Sequence, residues 1–233
     1  MTAPAPRRQV PGLRRLLVLV LVLIVAGGLF AIAYFTPLMS ARNVSVTGAA
    51  HAPTEEIEKV VEPLKGKPLL QITKSRTAEY AAAVVRVSPW IDSATITVSY
   101  PSTLVVEVTE REAVAYADRS GVTLVDAKGV PFIKVGEPPI LTPKLTVENP
   151  GADDPNTKAA ISVLQSLPQD IRGQVVEIGA DSPANVRFVL RDKRVVYWGD
   201  ASRADAKVAA LKVVLTRPGR EFTVIDPDVP TTR

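Results

Sequence analysis

The chain has no cysteine and a single histidine, His51, among its 233 residues. The first absence removes disulfides, thiolate nucleophiles and zinc ribbons together. The second leaves most acid–base and metal mechanisms without parts, and no GxSxG, HExxH, CxxC, Walker or GxGxxG spacing occurs. No cofactor or metal site is therefore expected. No segment recurs at a fixed period, which argues against solenoids and propellers. The formal charge of +4 resembles a nucleic-acid signal until its location is read. Arg7, Arg8, Arg14 and Arg15 carry it; without them 24 basic residues face 24 acidic ones. Phosphate binders place their excess on a folded face, so a nucleic-acid partner is not expected.

What is present begins with an apolar, uncharged run from Leu16 to Phe35. As a helix it reaches about 30 Å, the thickness of a bilayer's hydrocarbon core. Four arginines precede it, so the positive-inside rule keeps residues 1–15 cytoplasmic and places everything after Pro37 outside. Tyr34 and Phe35 suit the far interface. A cleaved signal peptide is the competing reading, with Ala31-Ile32-Ala33 as its site. The run exceeds an ordinary signal core, and that site lies inside it. Arg7-Arg8 is a weak twin-arginine feature.

The exterior region reads as two units of an α+β protein. Asn43 to Gly48 alternates as a strand. Pro53-Thr54-Glu55-Glu56 opens a helix with Ile57, Val60, Val61 and Leu64 on one face, closed by Gly66 and Pro68. A second helix is predicted from Thr77 to Val87. Ala94, Ile96, Val98 and Tyr100, then Leu104, Val106 and Val108, alternate as a hairpin with one buried face. The order is β-α-α-β-β. From Ala113 the chain is richer in strands: a hairpin around Lys128-Gly129, strands at Val175–Ile178, Val186–Leu190 and Arg194–Tyr197, and a last strand over Glu221–Asp226. Two helices interrupt them. One follows Pro155; the other follows a capping box at Ser202-Arg203-Ala204-Asp205, with Ala204, Val208, Leu211 and Leu215 as its buried stripe. Asp228–Arg233 is expected to be loose.

With these pieces in order, the chain resembles the FtsQ/DivIB family of bacterial division proteins from its basic tail to its final strand. The resemblance rests on the anchor, Val44-Ser45-Val46-Thr47-Gly48, Pro89-Trp90-Ile91 with Ala94-Thr95-Ile96, and Tyr100-Pro101 with Leu104. Glu110-Arg111-Glu112-Ala113-Val114-Ala115 follows, then Leu124, Asp126, Gly129 and Phe132. It implies a cytoplasmic tail over 1–15, a transmembrane helix over 16–35, a POTRA domain over 42–111, a mixed β domain with two helices over 112–226, and a flexible tail over 227–233. It also implies a non-enzymatic, single-pass scaffold of the division septum. Such a scaffold binds FtsB/DivIC-like and FtsL-like bitopic proteins and helps control septal peptidoglycan synthesis. The partner strand would add to the sheet edge at Phe222, Thr223, Val224, Ile225 and Asp226. Pro227 and Pro230 lack donors and shorten that edge. Richness in alanine, valine and arginine points to a high-GC bacterium such as an actinobacterium.

Two other classes compete: a membrane-tethered wall hydrolase working with carboxylates, and a POTRA-bearing transport or chaperone protein. Against the former, Glu55-Glu56 and Asp153-Asp154 read as helix-start charges. His51 reads as a surface loop residue, Trp90 as core, and Trp198 as either core or interface.

Overall fold

The computed structural model describes residues 11–35 and 39–233; Arg7, Arg8 and Pro37 lie outside them. Pro11–Phe35 is one helix, α1, whose apolar residues from Leu16 to Ile32 are exposed. Its stretch Arg14–Ile32 is long and apolar enough to cross a membrane. Beyond it the chain folds as an α+β protein, and it separates into two compact units between Glu110 and Arg111.

In the first unit, β1 (Asn43–Thr47), α2 (Thr54–Val61), α3 (Lys74–Val85), β2 (Ile91–Ser99) and β3 (Thr103–Glu110) appear in the expected order. The sheet order is β1-β3-β2, with β1 parallel and β2 antiparallel to β3. Ile57 and Val61 of α2, Ala81 and Val84 of α3, and Ile96, Val106 and Val108 of the sheet share one core. Leu64, Leu69 and Leu104 make a smaller one beside it. α3 starts three residues before the predicted Thr77, because the Thr73 side chain accepts from the Arg76 N–H and caps the helix there. Tyr100, predicted to face inward, is exposed because the alternation stops at the turn before β3.

Gly48 ends β1 at a φ of +81°, and a Cβ there would lie 2.0 Å from the Val108 carbonyl oxygen. The loop it starts is held by one carboxylate. Glu110 Oε1 accepts from the N–H groups of Ala50, His51 and Ala52 at 2.7–2.8 Å, and His51 Nδ1 donates to Oε2 at 2.8 Å. The His51 ring stacks on Trp90, with centroids 4.3 Å apart. His51 is thus on the surface as expected, yet it has a structural task. Trp90 is half-buried.

In the second unit β4 (Ala113–Asp118), β5 (Val122–Asp126), β6 (Pro131–Lys134), β7 (Lys144–Thr146), β8 (Val175–Ser182), β9 (Asn185–Leu190), β10 (Val195–Gly199), β11 (Glu221–Thr223) and β12 (Thr231–Thr232) form one sheet. Its order is β12-β11-β10-β9-β8-β7-β4-β5-β6. The helices are α4 (Pro155–Ser166), α5 (Gln169–Arg172) and α6 (Ala204–Val214). The short α5 and strand β7 have too few residues to show a period, so sequence reading passes over them. Asp154 caps α4 by accepting from the Thr157 N–H and hydroxyl, the helix-start role expected of it. Phe188, Trp198, Leu211, Val214, Phe222 and Val224 belong to the single large core of this unit. Buried Asp126 organises the β5–β6 turn: it accepts from the Lys128 and Val130 N–H groups and pairs with Arg111.

Burial opposes the Glu110 charge, but the bonds from His51, Ala52 and Ala50 outweigh it and hold the carboxyl at about 2, below its ordinary 4.5. Glu110→Ala leaves three loop N–H groups without their acceptor, so urea unfolding of the chain beyond α1 at neutral pH should show a loss of about 3 kcal/mol. A depressed carboxyl pKa stabilises the fold above the unfolded value and loses that effect as pH falls through the folded one. The gap between parent and variant should therefore close as pH drops from 4.5 toward 2.

Candidate functional site

The five residues expected to meet a partner lie at one end of the second unit's sheet. β11 runs parallel to β10 in the register Val195↔Glu221, Val196↔Phe222, Tyr197↔Thr223. The Val195 N–H donates to the Arg220 carbonyl at 2.8 Å and the Val224 N–H to the Tyr197 carbonyl at 2.9 Å. Side chains alternate across a strand, so this register divides the five by face. Phe222 and Val224 are fully buried, Thr223 is half-buried, and Ile225 is 51% exposed. Asp226 is exposed. The regular strand ends at Thr223, three residues short of the predicted Asp226.

The tail departs most from expectation. Instead of lying loose after Pro227, it reverses and pairs with β11 through β12, in the antiparallel register Phe222↔Thr232 and Thr223↔Thr231. The Arg233 N–H donates to the Glu221 carbonyl, and the Arg233 carbonyl accepts from the Arg220 and Glu221 N–H groups at 2.8 and 3.0 Å. Turn chemistry explains the reversal. Asp226 precedes Pro227, whose fixed φ suits the second position of a turn. The Asp228 N–H donates to Asp226 Oδ1 at 3.1 Å, and the Val229 N–H to the Asp226 carbonyl at 3.3 Å. The prolines read as ends of pairing in the sequence thus direct the chain back onto its own strand. Asp-Pro-Asp was the signal that could have revealed it.

The β10–α6 loop supports this margin. Gly199 has a φ of +83°, and a Cβ built on it would meet Ile225 Cγ2 at 3.1 Å. A glycine there lets Ile225 lean on bare backbone while half its surface faces out. Arg203 donates to Asp228 Oδ2 at 2.8 Å and lies 3.7 Å from Asp226 Oδ1. The bond to Asp228 raises the guanidinium pKa above its usual value, with the charges of Asp228 and Asp226 adding to it. The predicted capping box is not formed. Arg203, in the left-handed region at φ 53°, occupies the cap position of α6, while the Ser202 N–H and hydroxyl bond to Asp200 Oδ1.

Asp200 also receives Lys207 Nζ, at 2.7 Å on Oδ1 and 2.9 Å on its carbonyl. The Lys207 bond, then those from Ser202, lower the Asp200 carboxyl to about 2 against the opposing effect of burial. Lys207 is 1% exposed and sits 5.9 Å from the centroid of the Trp198 ring. Trp198 is fully buried, which settles it as core. A lysine in the buried stripe of α6 could not be read from apolar periodicity, since its stem packs while its ammonium finds Asp200. Among the described residues, no group of three or more histidines, aspartates and glutamates could hold a metal ion.

An apolar helix long enough to span a bilayer, a β-α-α-β-β unit and a β-rich unit ending in a short paired strand together define a membrane-anchored protein with a POTRA domain ahead of a β domain. Residues 39–111 match the POTRA domain model of FtsQ type, and residues 113–227 match the model of the FtsQ/DivIB C-terminal region. Similar proteins, each named cell division protein FtsQ, occur in Mycolicibacterium smegmatis, Mycobacterium tuberculosis H37Rv and Corynebacterium glutamicum. The first is 40% identical over all of this chain and 68% of its own length. The second is 40% identical over 99% of this chain and 72% of its own, and the third 26% over 91% and 95%. The chain belongs to the FtsQ family of cell division proteins, as a single-pass membrane component of the division machinery. These relatives come from actinobacteria, in line with the composition.

Arg203→Ala should free the 226–228 turn without disturbing the core. Amide exchange at Thr231 and Arg233 is expected to quicken while the melting temperature of the chain beyond α1 stays near that of the parent; unchanged exchange would show that backbone pairing alone holds the tail.

Proposed function

We propose that this protein is a non-enzymatic scaffold of the divisome that holds FtsB/DivIC-like and FtsL-like bitopic proteins outside the cytoplasmic membrane and so helps position and control septal peptidoglycan synthesis. In this reading residues 1–15 stay cytoplasmic, 16–35 span the membrane, 42–111 form the POTRA domain and 112–226 the β domain. The arginines ahead of the apolar span support that orientation. The observation that carries the partner assignment is the margin of the nine-stranded sheet. It ends in a strand of only two residues, beside which Ile225 and Val229 stand 51% and 68% exposed. A partner strand gains affinity from main-chain pairing and selectivity from side-chain contacts, and this margin supplies both kinds of group.

The reading assigns different tasks to the expected residues. Phe222 and Val224 hold the last strand in the core, whereas Thr223, Ile225 and Asp226 face the partner's side, with Val229 joining them.

Ile225→Lys should therefore lower the affinity of the exterior region for an FtsB-like exterior segment by about tenfold, roughly 1.4 kcal/mol, while its melting temperature is kept. Val224→Lys places a charge in the core and should unfold the β domain instead. Full affinity in a folded Ile225→Lys protein would rule this margin out.

A further inference from the structure

The last carbonyls of a helix have no partner within it. At the end of α1 one of them finds its partner in the first unit: Gln71 Nε2 donates to the Tyr34 carbonyl at 2.8 Å. Gln71 ends a 3-10 turn, Leu69–Gln71, that follows a second one, Glu62–Leu64. The same stretch is tied to the chain leaving α1. Ser40 bridges Pro68, the Ala41 N–H donates to the Lys67 carbonyl at 3.0 Å, and the Gly66 N–H to the Ala41 carbonyl at 2.9 Å.

These bonds fix where the stretch sits relative to a bilayer. The apolar span ends at Ile32, and Tyr34 lies about 3 Å further along the helix axis. The headgroup layer is about 6 Å deep on each side of the hydrocarbon. A side chain bonded to Tyr34, and the turn that carries it, therefore lie within that layer.

The chain on either side of that turn suits the layer chemically. From Glu62 to Arg76 the chain has one acid, Glu62, against Lys65, Lys67, Lys74 and Arg76. None of the four cations takes part in an ion pair among the described residues. Between them Leu70 is 37% exposed, although its neighbour Leu69 is buried. Cations without acidic partners, flanking in the sequence an exposed leucine on a turn at headgroup level, form a complement to an anionic membrane surface.

We propose that the 65–76 segment is a membrane-docking surface. Lys65, Lys67, Lys74 and Arg76 engage anionic phospholipid headgroups, and Leu70 enters the acyl boundary. Docking holds the first unit at a set tilt on the bilayer, which a flexible tether at the end of α1 could not do. It is independent of the partner assignment at the C-terminal margin.

The absence of native cysteine makes the test direct. Full-length Leu70→Cys protein, spin-labelled and placed in nanodiscs of phosphatidylcholine with or without phosphatidylglycerol, is read by collision with oxygen and with a water-soluble nickel complex. With phosphatidylglycerol the label should favour oxygen. In phosphatidylcholine alone, or with Lys65→Glu, Lys67→Glu and Lys74→Glu, it should shift toward the nickel complex. A label at Thr54→Cys, at the far end of α2, should stay aqueous and keep the same spectrum in the triple variant, reporting that the fold survives. The lipid comparison needs no charge variant, so it decides the matter even if that variant misfolds. A Leu70→Cys label that is aqueous in phosphatidylglycerol discs, or equally immersed whatever the lipid charge, would overturn the proposal; the latter would favour a tether or a protein contact.

Discussion

Every main-chain group of β11 that points away from β10 must find a partner, because a strand margin with unpaired N–H and C=O groups recruits whatever extended chain is near. Here the protein meets that requirement with its own last residues. Arg233 and the β12 strand take the outward positions of Glu221 and Thr223, and the remaining margin is a strand of two residues flanked by Pro230. The short pairing is guarded by the turn around Pro227, by Arg203 bonded to Asp228, and by Gly199 under Ile225. Uncontrolled edge-to-edge association is thereby limited, while exposed side chains remain for a specific contact.

Two carboxylates show how loops in this chain acquire fixed shapes without disulfides. Glu110 gathers three consecutive N–H groups and the His51 ring; Asp200 gathers Ser202 and the ammonium of Lys207. In each case a charged acceptor satisfies several donors of a loop, and charge-assisted bonds of this kind are about twice as strong as neutral ones. Asp126 does the same for the β5–β6 turn. Three residues that carry the family resemblance, Glu110, Arg111 and Asp126, thus act on architecture: Glu110 holds a loop of the first unit, and Arg111 pairs with Asp126 within the second.

Strong periodic segments are legible in the amino-acid order alone. The apolar run of α1, the alternation of Ile96 with Val98 and of Leu104 with Val106 and Val108, and the Pro155 start of α4 each follow from a local rule. The candidate site is legible there only as a stretch of chain. Alternation places Val224 and Ile225 on opposite faces, but which face is the core depends on the register Val196↔Phe222, and no local rule sets that register.

By itself the sequence determined the spanning segment, the order of elements in the first unit, the presence of a last strand after α6 and the family, since these rest on composition, period and ordered motifs. Only the tertiary structure decided that Lys207 is buried, that Arg203 rather than Ser202 caps α6, that the tail is a strand, and that the turn Leu69–Gln71 is bonded to the end of α1. Each of these depends on a partner distant in sequence or on a turn whose consequence lies in what it brings together, and hydrogen bonds between such groups exist only once the chain has closed on itself.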